Sequence, residues 1–184
     1  MSDVRDEESG VFNVPESGLL PVGIWMVHDG SCARLRFAQR AGRGAEVVSR
    51  RVTGHVEAMR HPHTPIDGAL WIDLGDAEYL HTRGTRRMVV ADLLGGAELA
   101  LRIRDGRVDG GRWTGTGVLD VDGLADAVRL VAPQPPGMQA GGESCAFTLA
   151  TCIDRRDFAL GERCRGLSHR LVLTLHLRLR RIGS

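Results

Sequence analysis

From position 171 to 179 every second residue is a leucine: Leu171, Leu173, Leu175, Leu177 and Leu179, with Val172, Thr174, His176 and Arg178 between them. A repeat of two is the period of a strand, whose successive side chains point to opposite faces. Wound as a helix, the same stretch would scatter its leucines around the whole circumference and leave no coherent apolar face. The pattern therefore overrides the good helix propensity of leucine. A strand with one apolar and one polar face belongs to an antiparallel sheet that is buried on one side and wet on the other. Its expected partner lies upstream, where Phe147, Leu149, Thr151 and Ile153 alternate with Ala146, Thr148, Ala150 and Cys152. Residues 145–181 thus read as a long hairpin.

The rest of the chain repeats this grammar in shorter pieces. An apolar run over residues 23–27 is followed by Asp29-Gly30, a hairpin signal, and by a strand at 34–37. Gly42-Arg43-Gly44 marks the next turn. Val52, Gly54, Val56 and Ala58 share a face whose small members leave room for something bulky opposite. Leu70, Ile72 and Leu74 alternate with Trp71 and Asp73, and Leu99, Leu101 and Ile103 form a further strand expected to turn at Asp105-Gly106. Residues 85–94 fit either a short helix or a strand. The glycines between Val108 and Val121 suggest one bent or bulged strand around Trp113, turning at Asp122-Gly123 into residues 124–131. Residues 132–143, rich in proline and glycine, form a long loop. Eight to ten short strands with turn signals between them read as a sandwich or a barrel, and closure is the economical way to remove sheet edges. The expected fold is all-β: an antiparallel barrel of about eight strands, with at most one or two short helices.

The chain of 184 residues is long enough for one domain with a sizeable core. Residues 1–20, carrying Asp3, Asp6, Glu7, Glu8 and Glu16 and two flanking prolines, read as a polar acidic tail, disordered or acting as a lid, and residues 21–184 as a single barrel domain. The basic side chains are all arginine, and 24 of them against 23 carboxylates leave a net charge of +1, which argues against a dedicated nucleic-acid binder. No basic segment followed by an apolar run opens the chain, and no stretch approaches the roughly 20 apolar residues of a membrane span. A cytoplasmic protein with reduced thiols is expected. Cys32, Cys145, Cys152 and Cys164 lack metal-knuckle spacing, and Cys145 and Cys152 are separated by roughly 23 Å of strand, too far to bond. His61 and His63 share a proline-rich loop without a third ligand, so no metal and no cofactor are expected.

The end of the chain resembles the YceI family of bacterial lipid-binding proteins. Those proteins close with a strand, an Ile-Asp-Arg-x-Asp-Phe-Gly-Leu motif, a loop and a final long alternating strand. Here the matching residues are Ile153, Asp154, Arg155, Arg156, Asp157, Phe158, Ala159 and Leu160, with alanine in place of the glycine, followed by residues 167–179. Trp25-Met26-Val27 is similar to the family's opening Trp-x-Ile, Val52-Thr53-Gly54 to its Val-x-Gly, and residues 113–131 to its Gly-x-Leu-x-x-x-Gly-x-x-x-x-Val segment. The family's Asp-x-x-His-Ser is replaced by His28-Asp29-Gly30-Ser31, and its Asp-Thr-Gly is not recognisable around residues 81–94. The resemblance implies a lipocalin-like barrel with a long apolar chain, typically polyisoprenoid, in its lumen.

The residues expected to line such a lumen are Trp25, Phe37, Trp71, Leu101, Trp113, Phe147, Leu149, Phe158, Leu173, Leu175 and Leu177. Burial of ligand surface against them would contribute roughly 25 cal/mol per Å2. Arg155 and Arg156 could grip an anionic headgroup, although a salt bridge with Asp154 or Asp157 is the better expectation. The expected partner is an apolar small molecule, with a homodimer left open. No nucleophile elbow, phosphate loop or dinucleotide fingerprint is present. Three functions follow, the last and plainest being a barrel with a filled interior that serves as an interaction module. The first is binding of an apolar or isoprenoid-like small molecule in the barrel lumen. The alternative is a cyclase or isomerase of natural-product biosynthesis, folding a polyene, polyketide or terpenoid in the same cavity with a hydrogen bond from Glu46, His55 or Asp73.

Overall fold

In the computed structural model the leucine alternation is the inner face of the longest strand, β12 (Leu167–Ile182), paired antiparallel with β11 (Ser144–Asp154). The structure describes residues 20–39, 44–59, 66–81, 98–109, 112–134, 136–138, 142–158 and 167–183. Phe147 faces Leu177, Leu149 faces Leu175, Thr151 faces Leu173 and Ile153 faces Leu171. All are buried. The long terminal hairpin is therefore present in the register its alternation demanded.

The remaining strands are β1 (Gly23–Val27), β2 (Cys32–Gln39), β3 (Gly44–Ser49), β4 (Val52–Ala58), β5 (Ile66–Asp73), β6 (Glu78–His81), β7 (Glu98–Asp109), β8 (Arg112–Val121), β9 (Leu124–Ala132) and the two-residue β10 (Gly137–Met138). Six of these are halves of three interrupted strands. β1 and β2 both pair with β12, β4 and β3 pair with β1 and β2 respectively, and β5 and β6 follow on β4 and β3. With β7, β8, β9, β11 and β12 they close an eight-stranded antiparallel barrel in which each strand neighbours the next in sequence and the last returns to the first. No helix occurs among the described residues, and residues 85–94 lie outside them, as do His61, His63 and Cys164.

Several local expectations give way to tertiary structure. Asp29-Gly30 turns, but makes no hairpin: β1 and β2 run on in one direction along β12. The interruption is fastened by Ser31, whose hydroxyl donates to the His28 carbonyl at 2.7 Å and accepts from the Arg178 amide at 2.9 Å. Asp105-Gly106 does not end its strand either. Asp105 adopts a left-handed conformation (φ 52°), the β7–β8 register shifts between Arg104 and Arg107, and the strand continues to Asp109. The glycine-rich stretch from Val108 is accordingly two strands, β7 and β8, and not one bent strand. Gly54 is small because the β5 backbone at Ala69 and Leu70 crowds the place of a Cβ, not because a bulky side chain sits opposite. Asp122-Gly123 is the two-residue hairpin its sequence announces, with both residues at positive φ and Val121 paired to Leu124.

Candidate functional site

Closing the sheet brings the inward positions of all eight strands into one apolar core. Leu35, Leu70, Ile72, Leu99, Leu101, Leu119, Leu149 and, on β12, Leu171, Leu173, Leu175, Leu177 and Leu179 are at most 2% exposed. Each such side chain contributes roughly 1.5–3 kcal/mol through burial, an upper range because denatured chains also bury surface.

Of the residues expected to line a lumen, ten are buried: Trp25, Phe37, Leu101, Trp113, Phe147, Leu149, Phe158, Leu173, Leu175 and Leu177. Trp71 is not among them. It sits between the inward Leu70 and Ile72, which puts it on the outer wall at 42% exposure. Its strand parity outranks its aromatic character.

The Trp113 ring is placed by glycine. It lies where a Cβ on Gly106 or Gly115 would have to go, and its other contact is Phe147, edge to face at 5.5 Å between centroids. Trp25 at the opposite wall donates its indole N–H to the Pro21 carbonyl at 2.9 Å. Two buried polar atoms among the described residues find no comparable partner within this apolar interior, Trp113 Nε1 and Thr151 Oγ1. Sequence reasoning placed Thr151 on the inward face but passed over its hydroxyl. The signal was present, since it is the one polar residue in an otherwise apolar alternation. Cys145 also faces inward, and burial pushes its thiol up to about 12, so it is an unreactive wall residue.

The groups considered as hydrogen-bond catalysts lie elsewhere. Glu46 pairs with Arg34 at 3.2 Å and Arg36 at 3.7 Å, Asp73 pairs with Arg51 at 3.1 Å, and His55 occupies an outward position of β4 beside Met26 and Ala69. The terminal motif proves to be a structural device. Asp154 and Arg156 form an ion pair at the rim that holds the Asp154 carboxyl well below the usual carboxylate range. Arg155 is buried and donates from Nε to the Ser168 carbonyl at 3.1 Å, tying the end of β11 to the start of β12. Phe158 folds inward over the end of the core.

The wall is not equally strong all round. β8 and β9 are paired along the whole of β9, whereas β9 meets β11 at a single bridge, Ala150 to Val131. Next to that seam, the inward positions Leu124 and Asp126 of β9 are exposed, unlike Val128, Leu130 and Ala132 farther along.

No family model and no curated protein matches the sequence. Solved structures do. The crystal structure of Burkholderia cenocepacia BcnA superposes with a TM-score of 0.59 at 14% identity, over 83% of this chain and 98% of that one. A polyisoprenoid binding domain from Saccharophagus degradans, implicated in plant cell wall breakdown, superposes with a TM-score of 0.57 at 11% identity, over 88% of this chain and all of that one. The fold is thus a closed, lipocalin-like antiparallel barrel. More particularly, the fold is similar to that of these two barrels along nearly their whole length.

Proposed function

We propose that the protein binds an apolar, isoprenoid-like small molecule between the inward faces of its barrel. The observation that carries this reading is the composition of the interior: leucine, isoleucine, valine and aromatic side chains from every strand, with two unpartnered polar atoms among them. An apolar chain bearing an oxygen atom would match such a surface, because the oxygen can accept from Trp113 Nε1 or from the Thr151 hydroxyl. The similarity of fold to a polyisoprenoid binding domain supports the same reading. The inward side chains pack against one another, so uptake requires the wall to part. The β9–β11 seam, with its one bridge, is where parting costs least. Glu46, His55 and Asp73 point away from the interior and lend the cyclase alternative no support.

The test is organic extraction of the purified protein with mass spectrometry of the extract, followed by native mass spectrometry after incubation with geranylgeraniol. A co-purifying apolar molecule, or a one-to-one mass increment, is expected. A protein that yields no extractable ligand and takes up no isoprenoid is not a carrier of this kind.

A further inference from the structure

We propose that the outer wall formed by β7, β8 and β9 is a separate binding site for a phosphate-bearing anion. This site is independent of the barrel interior. The wall is hollowed there, enclosing about 840 Å3 beside Asp105, Arg107, Thr114, Thr116, Ala127 and Arg129. The β7 bulge accounts for the hollow: three steps from Arg104 to Arg107 face two from Thr116 to Thr114, so the strand bends. Ala127, an outward position of β9, adds only a methyl group to the floor.

Arg107 and Arg129 line this hollow, and Arg104 stands beside it in cross-strand register. Arg104 is opposite Thr116, which is opposite Arg129, and Arg107 is opposite Thr114 in the next row. Strands lie about 5 Å apart, so Arg104 and Arg129 flank Thr116 at roughly 10 Å between backbones, a span that two arginine side chains can close on one phosphate. Arg102, one row further along, adds a fourth positive charge.

None of these four arginines forms an ion pair with a described residue. Some outer arginines elsewhere are committed, Arg34 and Arg36 to Glu46, Arg51 to Asp73 and Asp76, and Arg156 to Asp154, while Arg170, Arg178 and Arg180 on β12 likewise form no ion pair with a described residue. The carboxylate in the lining is Asp105, and Arg102 and Arg104 line a neighbouring hollow that also holds Asp120. Like charges on neighbouring strands repel, and a protein of net charge +1 has enough carboxylates to neutralise them. Concentrating unpaired arginines in a concavity therefore creates a local field suited to an anion. Guanidinium groups bind phosphate oxygens in pairs, and the Thr114 hydroxyl can add a donor, which favours a phosphate ester or diphosphate over a simple carboxylate.

The phosphate could be soluble or a lipid headgroup, and two titrations separate the sources. Calorimetry with inorganic pyrophosphate reads the first, and co-sedimentation with phosphatidylglycerol vesicles, against phosphatidylcholine vesicles, reads the second. Saturable binding in at least one is expected, weakening as salt is raised. Replacing Arg104, Arg107 and Arg129 together by glutamine should weaken it by about tenfold or more, as loss of charge-assisted hydrogen bonds requires. Arg36→Gln, on a different wall, should leave it unchanged. Arg129→Gln alone should weaken it severalfold, and serves if the triple variant does not fold. Binding of pyrophosphate alone assigns a soluble ligand, and binding of phosphatidylglycerol alone assigns a headgroup. The proposal is overturned if neither binds, if phosphatidylcholine binds equally, or if the arginine variants bind as the wild type does.

Discussion

Thr151 and Trp71 show how strand parity and residue chemistry compete at single positions. Thr151 is carried inside by its place opposite Leu173, though its hydroxyl finds no hydrogen-bond partner there. Leaving a buried hydroxyl unpartnered costs more than replacing it by a methyl of the same shape. Thr151→Val is therefore expected to stabilise the protein by about 0.5–1.5 kcal/mol in chemical denaturation. A loss of stability would mean that the hydroxyl has a partner within the barrel. Trp71 is the converse case, an aromatic residue held outside by the parity of Leu70 and Ile72. Its position was legible in the alternation. Its aromatic ring made it look like a ligand contact, but one residue's type does not set its face where the alternation of its neighbours opposes it.

Three of the five Asp-Gly dipeptides in the chain lead to three different outcomes at the level of elements. Asp122-Gly123 reverses the chain, Asp105-Gly106 bulges a continuing strand, and Asp29-Gly30 joins two halves of one strand along β12. The dipeptide supplies only a willingness to adopt positive φ. What the chain does with it depends on which strand lies alongside. The glycines should accordingly respond differently to substitution. Gly106→Ala drives a Cβ into the Trp113 ring and towards the Ile66 carbonyl, and should cost about 2–4 kcal/mol. Gly123→Ala meets open space and pays only for its backbone conformation, about 1 kcal/mol. Equal losses in denaturant melts would contradict this account of the β7 bulge. The terminal motif belongs at the same scale. Its Asp154, Arg155, Arg156 and Phe158 build the end of a hairpin.

The whole barrel is closed by strands of unequal commitment. β12 is bound on one side to β11 and on the other to β2 and β1, while β9 has its full complement only on the β8 side. Local opening should follow that difference. In hydrogen exchange of the free protein, peptides from β9 are expected to lose protection before those from β11 and β12, and addition of a bound isoprenoid should slow them. Uniform exchange around the barrel would remove the seam as the route of entry.

The sequence by itself determined most of the strands and their inward faces, and narrowed the fold to a sandwich or a barrel; the pairing of β12 with β1 and β2 decided closure. Alternation, turn residues and the terminal motif are local signals, and each can be read within about ten residues. Only the tertiary structure decided which Asp-Gly pairs reverse the chain, which polar atoms are left alone inside, and where the wall is thin. It also assembled the arginines of β7 and β9 across Thr116. Those outcomes depend on pairing between segments far apart in the chain, and a side chain's neighbours across a sheet are set by register, which no single segment encodes.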